Sequence, residues 1–409
     1  PVSDRTAPRY LTTLAEFAAV TQLYEISEAA RTRVRWIIAD CLPVIAAGMQ
    51  QREMQAFSAK HLAHAAPGSA WVIGTGKRAS ALDAALLNGT AGTWLELDEG
   101  NLFAKGHHGI QVVPAAVALA QELGASGAEL LRAVALGYEL SARISRASNV
   151  KLAVHPHGTY GVIGAAIAAG KLKRFDAAQM REVINCAATM GMATSRQTLL
   201  DGATVRNIFT GHSGYMGLTA TRLVECGFTG EVDGVAAVFG KILSDTFDPS
   251  LVVAGLGSEW LVTQSYFKLH PTGRYAHSAI DALEDLLASV PGGRLDPASI
   301  ERIEVRTYRL AAMLAELRVT SSFGARFSVP SAPAPILHHG GSGLAQFVQA
   351  AVDNGAIQVL PPRAALPAEK PVNPSTPASA TRGLNATHTR GRLPAGPSPT
   401  PQGQPATPP

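Results

Sequence analysis

The sequence predicts a mainly α-helical protein, with one large all-helical domain followed by a smaller α+β domain. Alanine and leucine recur at helical spacing through residues 1–255, and aromatic residues make up only 6% of the chain. An alternation of apolar and charged residues begins near Ile300, and this period of two indicates a strand. Since 409 residues exceed what a single core normally serves, two domains are expected.

The helical domain is predicted from apolar residues at helical spacing. Such patterns cover residues 10–65, 80–92, 112–145, 159–172, 178–195 and 212–226. Pro43 is expected to bend or end a helix in the first of them. A short apolar run at residues 70–73 predicts a strand that leads into the turn Gly74-Thr75-Gly76. We assign residues 1–255 to this domain.

The second domain is assigned to residues 256–360. A strand is predicted at residues 300–308, with helices at 276–289 and near 343–353. Residues 361–409 contain half of the chain's 26 prolines, together with Ser, Thr, Ala and Gly. Such a segment buries too little apolar surface to offset its ordering entropy, so we expect it to be disordered.

Charge and composition exclude two classes of partner. The net charge of +4 is accounted for by residues 361–409, so the rest of the chain lacks the basic footprint of a nucleic-acid-binding protein. No uncharged apolar run reaches the roughly 18–20 residues of a membrane span, and the N-terminus lacks a secretory signal pattern. Three widely spaced cysteines favour a reducing compartment. We expect a cytoplasmic protein without nucleic-acid or membrane partners.

The segment from Leu95 to Pro114 is the strongest candidate for a catalytic loop. It places Asp98, Lys105, His107 and other polar residues between two helical patterns. A carboxylate near histidines is suited to proton transfer near neutral pH. The alternative is a solvated connection between helices, and residue types alone do not decide between the two.

Further candidates lie in a histidine turn and in two cationic segments. The turn His155-Pro156-His157-Gly158-Thr159 precedes a helix, whose N–H groups would favour an anion. Arg206 lies in the first cationic segment, and Lys268, Arg274 and His277 lie in the second. Such residues form either a solvated turn or a carboxylate-binding lid, and we favour the lid.

Two other functions are weighed and set aside. The sequence Gly74-Thr75-Gly76-Lys77-Arg78-Ala79 fits a loose dinucleotide-binding pattern, but helices follow it where strand–helix–strand units are required. A turn between short strands is the better interpretation, and a dinucleotide-dependent oxidoreductase is the weakest alternative. The pairs His107-His108 and His155/His157 lack the helical spacing of metal ligands, so no metal is expected.

Taken in order, these segments resemble the MmgE/PrpD family, which includes 2-methylcitrate dehydratase, cis-aconitate decarboxylase and iminodisuccinate epimerase. The matching pieces are Asn88-Gly89-Thr90, Leu95-Glu96-Leu97-Asp98, Gly106-His107, Val112-Val113-Pro114-Ala115, His155-Pro156-His157-Gly158-Thr159, Val205-Arg206, Gly227-Phe228-Thr229-Gly230, Phe267-Lys268 through Arg274 and His277 to Asp281, and Ala325-Arg326-Phe327-Ser328-Val329-Pro330. The resemblance implies a cleft between a helical and an α+β domain, a homodimer, and no organic cofactor. It also implies dehydration, decarboxylation or epimerisation of a small di- or tricarboxylate.

The resemblance also implies roles for individual residues. Asp98, His107, His155 and Lys268 would be catalytic, by moving a proton on a carbon next to a carboxylate. Substrate binding would fall to Arg206, Arg274, His277 and Thr159. Arg206 stands where many members have lysine, and Thr93 and Glu99 replace a histidine and an aspartate that are common there. Because residues 361–409 depart from the family pattern, through a truncation or a shifted reading frame, a catalytically inactive member is the alternative.

Overall fold

The chain divides into two compact units. The structure, a computed structural model, describes residues 7–307, 309–316 and 319–354, and three strands between residues 364 and 394. Unit 1 comprises Pro1–Trp94, Asp98–Arg196 and Val205–Tyr266. Unit 2 comprises Leu95–Leu97, Gln197–Thr204 and Phe267–Pro409. The predicted domain boundary after residue 255 therefore lies within unit 1.

Unit 1 is built mainly from α-helices. They are α1 (Arg9–Val20), α2 (Glu28–Met49), α3 (Arg52–Leu62), α4 (Ala81–Gly92), α5 (Gly109–Leu123), α6 (Gly127–Ala147), α7 (Gly161–Leu172), α8 (Ala177–Thr189), α10 (Ile208–Glu225) and α11 (Pro249–Val253). Side chains cap several of their starts: Ser80 accepts the Asp83 N–H at α4, and Ser126 accepts the Glu129 N–H at α6. The mainly α-helical fold predicted for this part of the chain is confirmed.

Helices α4 and α10 pack with their backbones in close contact. A Cβ atom on Gly211 would lie 2.3 Å from the Leu86 carbonyl oxygen, and one on Gly89 would lie 2.8 Å from the Gly211 Cα. Side chains larger than hydrogen are therefore excluded at this crossing. The crossing places the end of α4 and the start of α10 side by side, and the residues that flank them belong to the candidate site.

Two predictions about the start of the chain are resolved by this unit. Strands β1 (Ala70–Val72) and β2 (Lys77–Ala79) pair antiparallel, and Gly74 and Gly76 have φ angles of 84° and 69° in the turn between them. This confirms a turn rather than a dinucleotide-binding loop. Helix α2 continues through Pro43, because its apolar residues are buried on both sides of the proline.

Residues 244–266, the last part of unit 1, pack against earlier segments of the same unit through contacts that the sequence pattern did not predict. Strands β3 (Ser148–Val150) and β4 (Ser244–Phe247) form an antiparallel pair. The backbone N–H of Val262 donates to the Glu139 carboxylate, and Tyr266 forms a bridge with Gly100. These contacts extend unit 1 beyond the predicted boundary.

Unit 2 combines short helices with one small sheet. The helices are α9 (Gln197–Leu200), α12 (His277–Ala288), α13 (Arg309–Ala312), α14 (Ser322–Ala325), α15 (Pro333–His339) and α16 (Gln349–Val352), and the strands are β5 (Ile300–Arg306), β6 (Ala364–Ala365), β7 (Gly383–His388) and β8 (Gly391–Pro394). The strand order is β6-β5-β7-β8, with β5 and β6 parallel and the other pairs antiparallel. The α+β character predicted here is confirmed.

Strands β6, β7 and β8 lie in the segment that was predicted to be disordered. Strand β7 pairs with β5 over its whole length, from Arg306 opposite Gly383 to Ile300 opposite His388. The prediction of disorder for residues 361–409 does not hold for these strands, because β6 and β7 pair with β5 and β8 pairs with β7, which their own composition does not predict. The rest of that segment lies outside the described residues. Within the described part of the chain, no helix is both long and apolar enough to cross a membrane.

Candidate active site

The loop between α4 and α5 is held by backbone and side-chain hydrogen bonds within unit 1. Gly100 exchanges two backbone hydrogen bonds with Tyr266, and Asn101 exchanges two with Gly106. The Asn101 side chain donates to the Leu261 carbonyl at 2.8 Å and accepts the Ala104 N–H at 2.9 Å. The loop is therefore a fixed support for the side chains that it carries, as the sequence analysis expected of a catalytic loop.

Asp98 and His107, both predicted as catalytic, form a carboxylate–imidazole pair. Their Oδ2 and Nδ1 atoms lie 3.0 Å apart, and the same Nδ1 lies 2.6 Å from the Glu99 carbonyl oxygen. A carbonyl oxygen only accepts, so Nδ1 carries the proton and Nε2 of the neutral ring has the lone pair. The Asp98 side chain is fully buried, whereas 17% of the His107 side chain is exposed. His107 is thus the member of the pair that a small molecule can reach.

His157 joins this pair, although His155 was the only histidine of the turn that was predicted to be catalytic. Its Nε2 lies 3.7 Å from Asp98 Oδ2, and its ring centroid lies 4.9 Å from that of His107. The residue is fully buried. Two imidazoles therefore face one buried carboxylate, and the second imidazole comes from a segment 50 residues away along the chain. The only sequence signal for His157 is its position two residues after His155.

The two histidine segments are tied together by Gln111, on the first turn of α5. Its Nε2 donates to the His107 carbonyl at 2.8 Å, and its Oε1 accepts the Gly158 N–H at 3.0 Å. The Ser213 hydroxyl donates to the same Oε1 at 2.9 Å. A single buried amide thereby fixes the distance between the loop of His107 and the turn of His157.

His155 and Arg206 lie next to each other on the other side of His157. The ring centroids of His155 and His157 are 4.7 Å apart, and His155 Nδ1 accepts the His157 N–H at 3.1 Å. Burial, followed by the nearby charge of Arg206, holds the pKa of His155 well below its ordinary value. The Arg206 Nε–H donates to His155 Nε2 at 3.4 Å. The ring therefore orients one edge of the buried guanidinium.

Asn207 adds a donor that was not predicted. Its Oδ1 lies 3.4 Å from the Thr93 hydroxyl and 3.5 Å from Arg206 NH1. Within the part of the chain that the structure describes, its Nδ2 has no hydrogen-bond partner, although the residue is fully buried. A buried donor without a partner costs about 1–3 kcal/mol, so an acceptor from a bound molecule would stabilise this site.

Thr159, predicted to bind substrate, uses its hydroxyl within the histidine turn. The hydroxyl donates to the Pro156 carbonyl at 2.5 Å, and the residue is fully buried. This hydrogen bond stabilises the turn that carries His155 and His157, and the contact of Thr159 with substrate stays a prediction.

Glu99 is a buried carboxyl group directly beside the pair. It accepts the Gly109 N–H at the start of α5 at 2.5 Å and the Tyr138 hydroxyl at 3.2 Å. Burial raises its pKa to about 8. Its side chain thus fixes the end of the loop, while its carbonyl oxygen orients His107.

The remaining predicted residues belong to unit 2. Lys268 forms an ion pair with Glu96, with Nζ and Oε2 3.0 Å apart and both side chains buried. Arg274 donates to His277 Nδ1 at 3.0 Å, and His277 Nε2 lies 3.3 Å from the Thr272 carbonyl. Burial, followed by the charge of Arg274, lowers the pKa of His277 well below its ordinary value. Arg274 and His277 are therefore in direct contact, whereas Lys268 is paired with Glu96.

Two groups of side chains have the donor types and spacing of metal ligands, although none was expected. In the described residues, one group is Asp98, His107 and His157, and the other is His270, Asp281 and Glu284. In each, one possible ligand atom per residue lies within 4.8 Å of the others. The expectation that the protein has no metal site rested on the spacing of the histidines along the chain. Such spacing does not show which side chains the fold brings together.

Comparisons with known proteins agree with the resemblance. A model of the MmgE/PrpD N-terminal domain matches residues 12–249, and one of the MmgE/PrpD C-terminal domain matches residues 270–409. The second match includes residues 361–409, where a departure from the family was expected.

Two fungal proteins illustrate the similarity. The chain is 24% identical over 294 residues to a cis-aconitate decarboxylase of Aspergillus terreus, which covers 67% of this chain and 60% of that protein. It is 28% identical over 240 residues to the cis-aconitate decarboxylase-like protein oryM of Aspergillus oryzae, which covers 54% of this chain and 49% of that protein. The matches thus span about half to three-fifths of the length of these relatives.

Proposed function

The chain belongs to the MmgE/PrpD family, and from that premise we propose that it is a lyase that acts on a small di- or tricarboxylate by moving a proton on a carbon next to a carboxylate. The observation that carries this proposal is the pair Asp98–His107, in which a partly exposed imidazole lies 3.0 Å from a buried carboxylate. Dehydration, decarboxylation and epimerisation all require such a proton carrier. Since the relatives carry the name cis-aconitate decarboxylase, we place decarboxylation of cis-aconitate first.

His107 is suited to carry the proton. With Nδ1–H donated to the Glu99 carbonyl and the Asp98 carboxylate 3.0 Å from the same nitrogen, the Nε2 atom takes up a proton from water and delivers it to the substrate. Asp98 stabilises the imidazolium that exists between these two events. In the decarboxylation, the carbon–carbon bond to the departing CO2 breaks and its electron pair forms a new double bond. The far carbon of the old double bond then takes the proton from His107.

Arg206 and Asn207 are suited to hold the carboxylates of the substrate, and His155 orients the guanidinium of Arg206. Arg206 supplies a buried positive charge, His155 Nε2 accepts its Nε–H at 3.4 Å, and Asn207 Nδ2 supplies a neutral donor beside it. Hydrogen bonds to an ionised carboxylate from such donors are stronger than those between neutral groups. They would also stabilise the negative charge that spreads into the substrate as CO2 leaves.

The test follows cis-aconitate by proton NMR in deuterated water. We expect CO2 loss with one solvent deuteron incorporated in the product, and a large rate loss in His107→Gln. A matched control is His61→Gln, because His61 also contacts a carboxylate, Asp83, at 2.8 Å but lies outside the candidate site. Equal rates in the two variants would remove His107 from the mechanism.

The same NMR assay, applied to other acids, distinguishes decarboxylation from dehydration and epimerisation. Citrate-like hydroxy acids test dehydration, and aspartate-derived diacids test epimerisation through exchange of the proton next to the carboxylate. A folded protein that neither turns over nor exchanges a proton in any of these acids would be the catalytically inactive member that the sequence analysis kept as the alternative.

The family also motivates a homodimer as part of the proposal. Tyr24 and Trp36 have 78% and 63% of their surface exposed, and a second copy of the chain could cover such aromatic side chains. Sedimentation equilibrium of the protein and of Trp36→Glu tests this. A monomeric wild type at micromolar concentration would contradict it.

A further inference from the structure

Asp98, His107 and His157 form a compact set of ligand atoms in unit 1. Asp98 Oδ2 lies 3.0 Å from His107 Nδ1 and 3.7 Å from His157 Nε2, and one such atom from each residue lies within 4.8 Å of the others. Two atoms bound to a tetrahedral zinc ion, each at about 2.1 Å, are about 3.4 Å apart. The two distances in the structure lie on either side of this value, so small shifts of the side chains would bring all three into contact with one ion.

The set is also rigid and shielded from water. Asp98 and His157 are fully buried, and Gln111 ties the segment of His107 to the turn of His157 through two hydrogen bonds. The Thr194 hydroxyl donates to the His157 carbonyl at 2.9 Å. A site whose ligands are held before the ion arrives loses little conformational entropy on binding.

We propose that Asp98, His107 and His157 form a binding site for a divalent transition-metal ion such as Zn2+, and that the bound ion blocks proton transfer by His107. Two imidazoles and one carboxylate suit zinc and its neighbours, whereas calcium and magnesium prefer oxygen ligands. A ligating nitrogen needs its lone pair, so binding through Nδ1 requires the proton of the neutral His107 ring to move to Nε2, which then cannot take up a proton for transfer. The blocking of turnover rests on the proposed function, whereas the binding does not.

The second group of possible ligands, in unit 2, makes a useful comparison. Both ring nitrogens of His270 are already in short contacts, Nδ1 with the Ser342 hydroxyl at 2.7 Å and Nε2 with Asp281 at 2.9 Å. The Ser342 hydroxyl in turn donates to Glu284 at 2.8 Å. An ion here would have to replace a complete hydrogen-bonded chain, so we expect one zinc per protein molecule and place it in unit 1.

The binding is tested by calorimetry with ZnCl2 on protein that was first stripped with a chelator. We expect one strong site in the wild type. His157→Asn should lose more than the roughly 10–100-fold in affinity that loss of an outer partner of a ligand typically costs. His61→Asn, in the pair His61–Asp83 that has no second histidine, should bind as the wild type does. Equal affinity in wild type and His157→Asn would overturn the proposal.

Two further measurements keep the test decisive. Visible absorption of protein loaded with CoCl2 should show the strong bands of a low-coordinate ion in the wild type, and the weak spectrum of hydrated Co2+ would contradict the site even if His157→Asn failed to fold. In the cis-aconitate assay, Zn2+ should inhibit turnover and a chelator should restore it. Zinc binding without any turnover would refute the proposed function alone, and turnover without zinc binding would refute the metal site alone.

Discussion

Asp98 and Glu96 are two residues apart in the chain, yet they belong to different units and their carboxylates face different kinds of basic group. In unit 1, Asp98 faces the imidazoles of His107 and His157. In unit 2, Glu96 faces the ammonium group of Lys268 at 3.0 Å. An imidazole gains and loses a proton near neutral pH, whereas a lysine paired with a carboxylate keeps its charge. The partner, more than the carboxylate itself, therefore determines whether a buried acidic residue is suited to proton transfer.

The two arrangements also differ in what they contribute to stability. A buried ion pair such as Lys268–Glu96 gains little net free energy, but removing one partner leaves a buried charge that is costly. The unit 1 pair keeps part of the His107 ring exposed and so leaves it open to a small molecule. We therefore expect variants of the unit 1 pair, Asp98–His107, to lose activity and variants of the unit 2 pair, Lys268–Glu96, to lose stability.

The largest expected effect is that of His107→Gln on turnover. General acid–base catalysis contributes about 10²–10⁴-fold, so kcat should fall by that factor while the melting temperature stays close to that of the wild type. Steady-state kinetics and thermal unfolding on the same preparation measure both. A stability loss as large as the activity loss would place His107 among residues that mainly support the fold.

Lys268→Met tests the other side of the comparison. The free energy of unfolding should fall by about 3–5 kcal/mol, because Glu96 is left buried without its ammonium partner. The double variant Glu96→Gln/Lys268→Met should recover most of this loss in urea unfolding. If the double variant were stable but inactive, Lys268 would take part in the reaction, as the resemblance implies.

Arg206 distinguishes charge from geometry in the substrate site. Arg206→Met should raise KM about 10–100-fold, the value of a hydrogen bond to a charged group, and Arg206→Lys should raise it less. The reason is that lysine keeps the positive charge but lacks the fork that reaches both Thr93 and His155. Equal increases in both variants would indicate that the substrate needs both arms of the guanidinium. A change in kcat alone would argue against a binding role.

The smallest effect is expected in the pH dependence of stability, through Glu99. Its pKa is raised from 4.5 to about 8 by burial, so between these values the folded state holds a proton that the unfolded state has lost. The contribution to stability is complete below pH 4.5 and is lost as pH rises towards about 8. Between about pH 5.5 and about pH 7.5, the wild type should lose on the order of 2 kcal/mol relative to Glu99→Gln. Parallel urea midpoints would contradict the raised pKa.

Much of the fold follows from local patterns in the sequence. The helical spacing of apolar residues predicts α4, α7 and α10, and the alternation near Ile300 predicts β5, because burial of one face imposes these periods on each element separately. Strand β7 shows the limit of this reasoning. Its order depends on pairing with β5, about 80 residues earlier, and no period within residues 383–388 reveals such a partner.

The candidate site likewise contains residues that the sequence predicted and residues that only the structure revealed. Residue types marked Asp98, His107, His155 and Arg206 as candidates, since carboxylates, imidazoles and guanidinium groups have chemistry of their own wherever they lie, and the resemblance to the family implied their roles. Only the tertiary structure decided that His157 faces Asp98, that Asn207 presents a buried donor beside Arg206, and that Gln111 joins the two histidine segments. These are distances between segments far apart in the chain, and packing of the helices sets them.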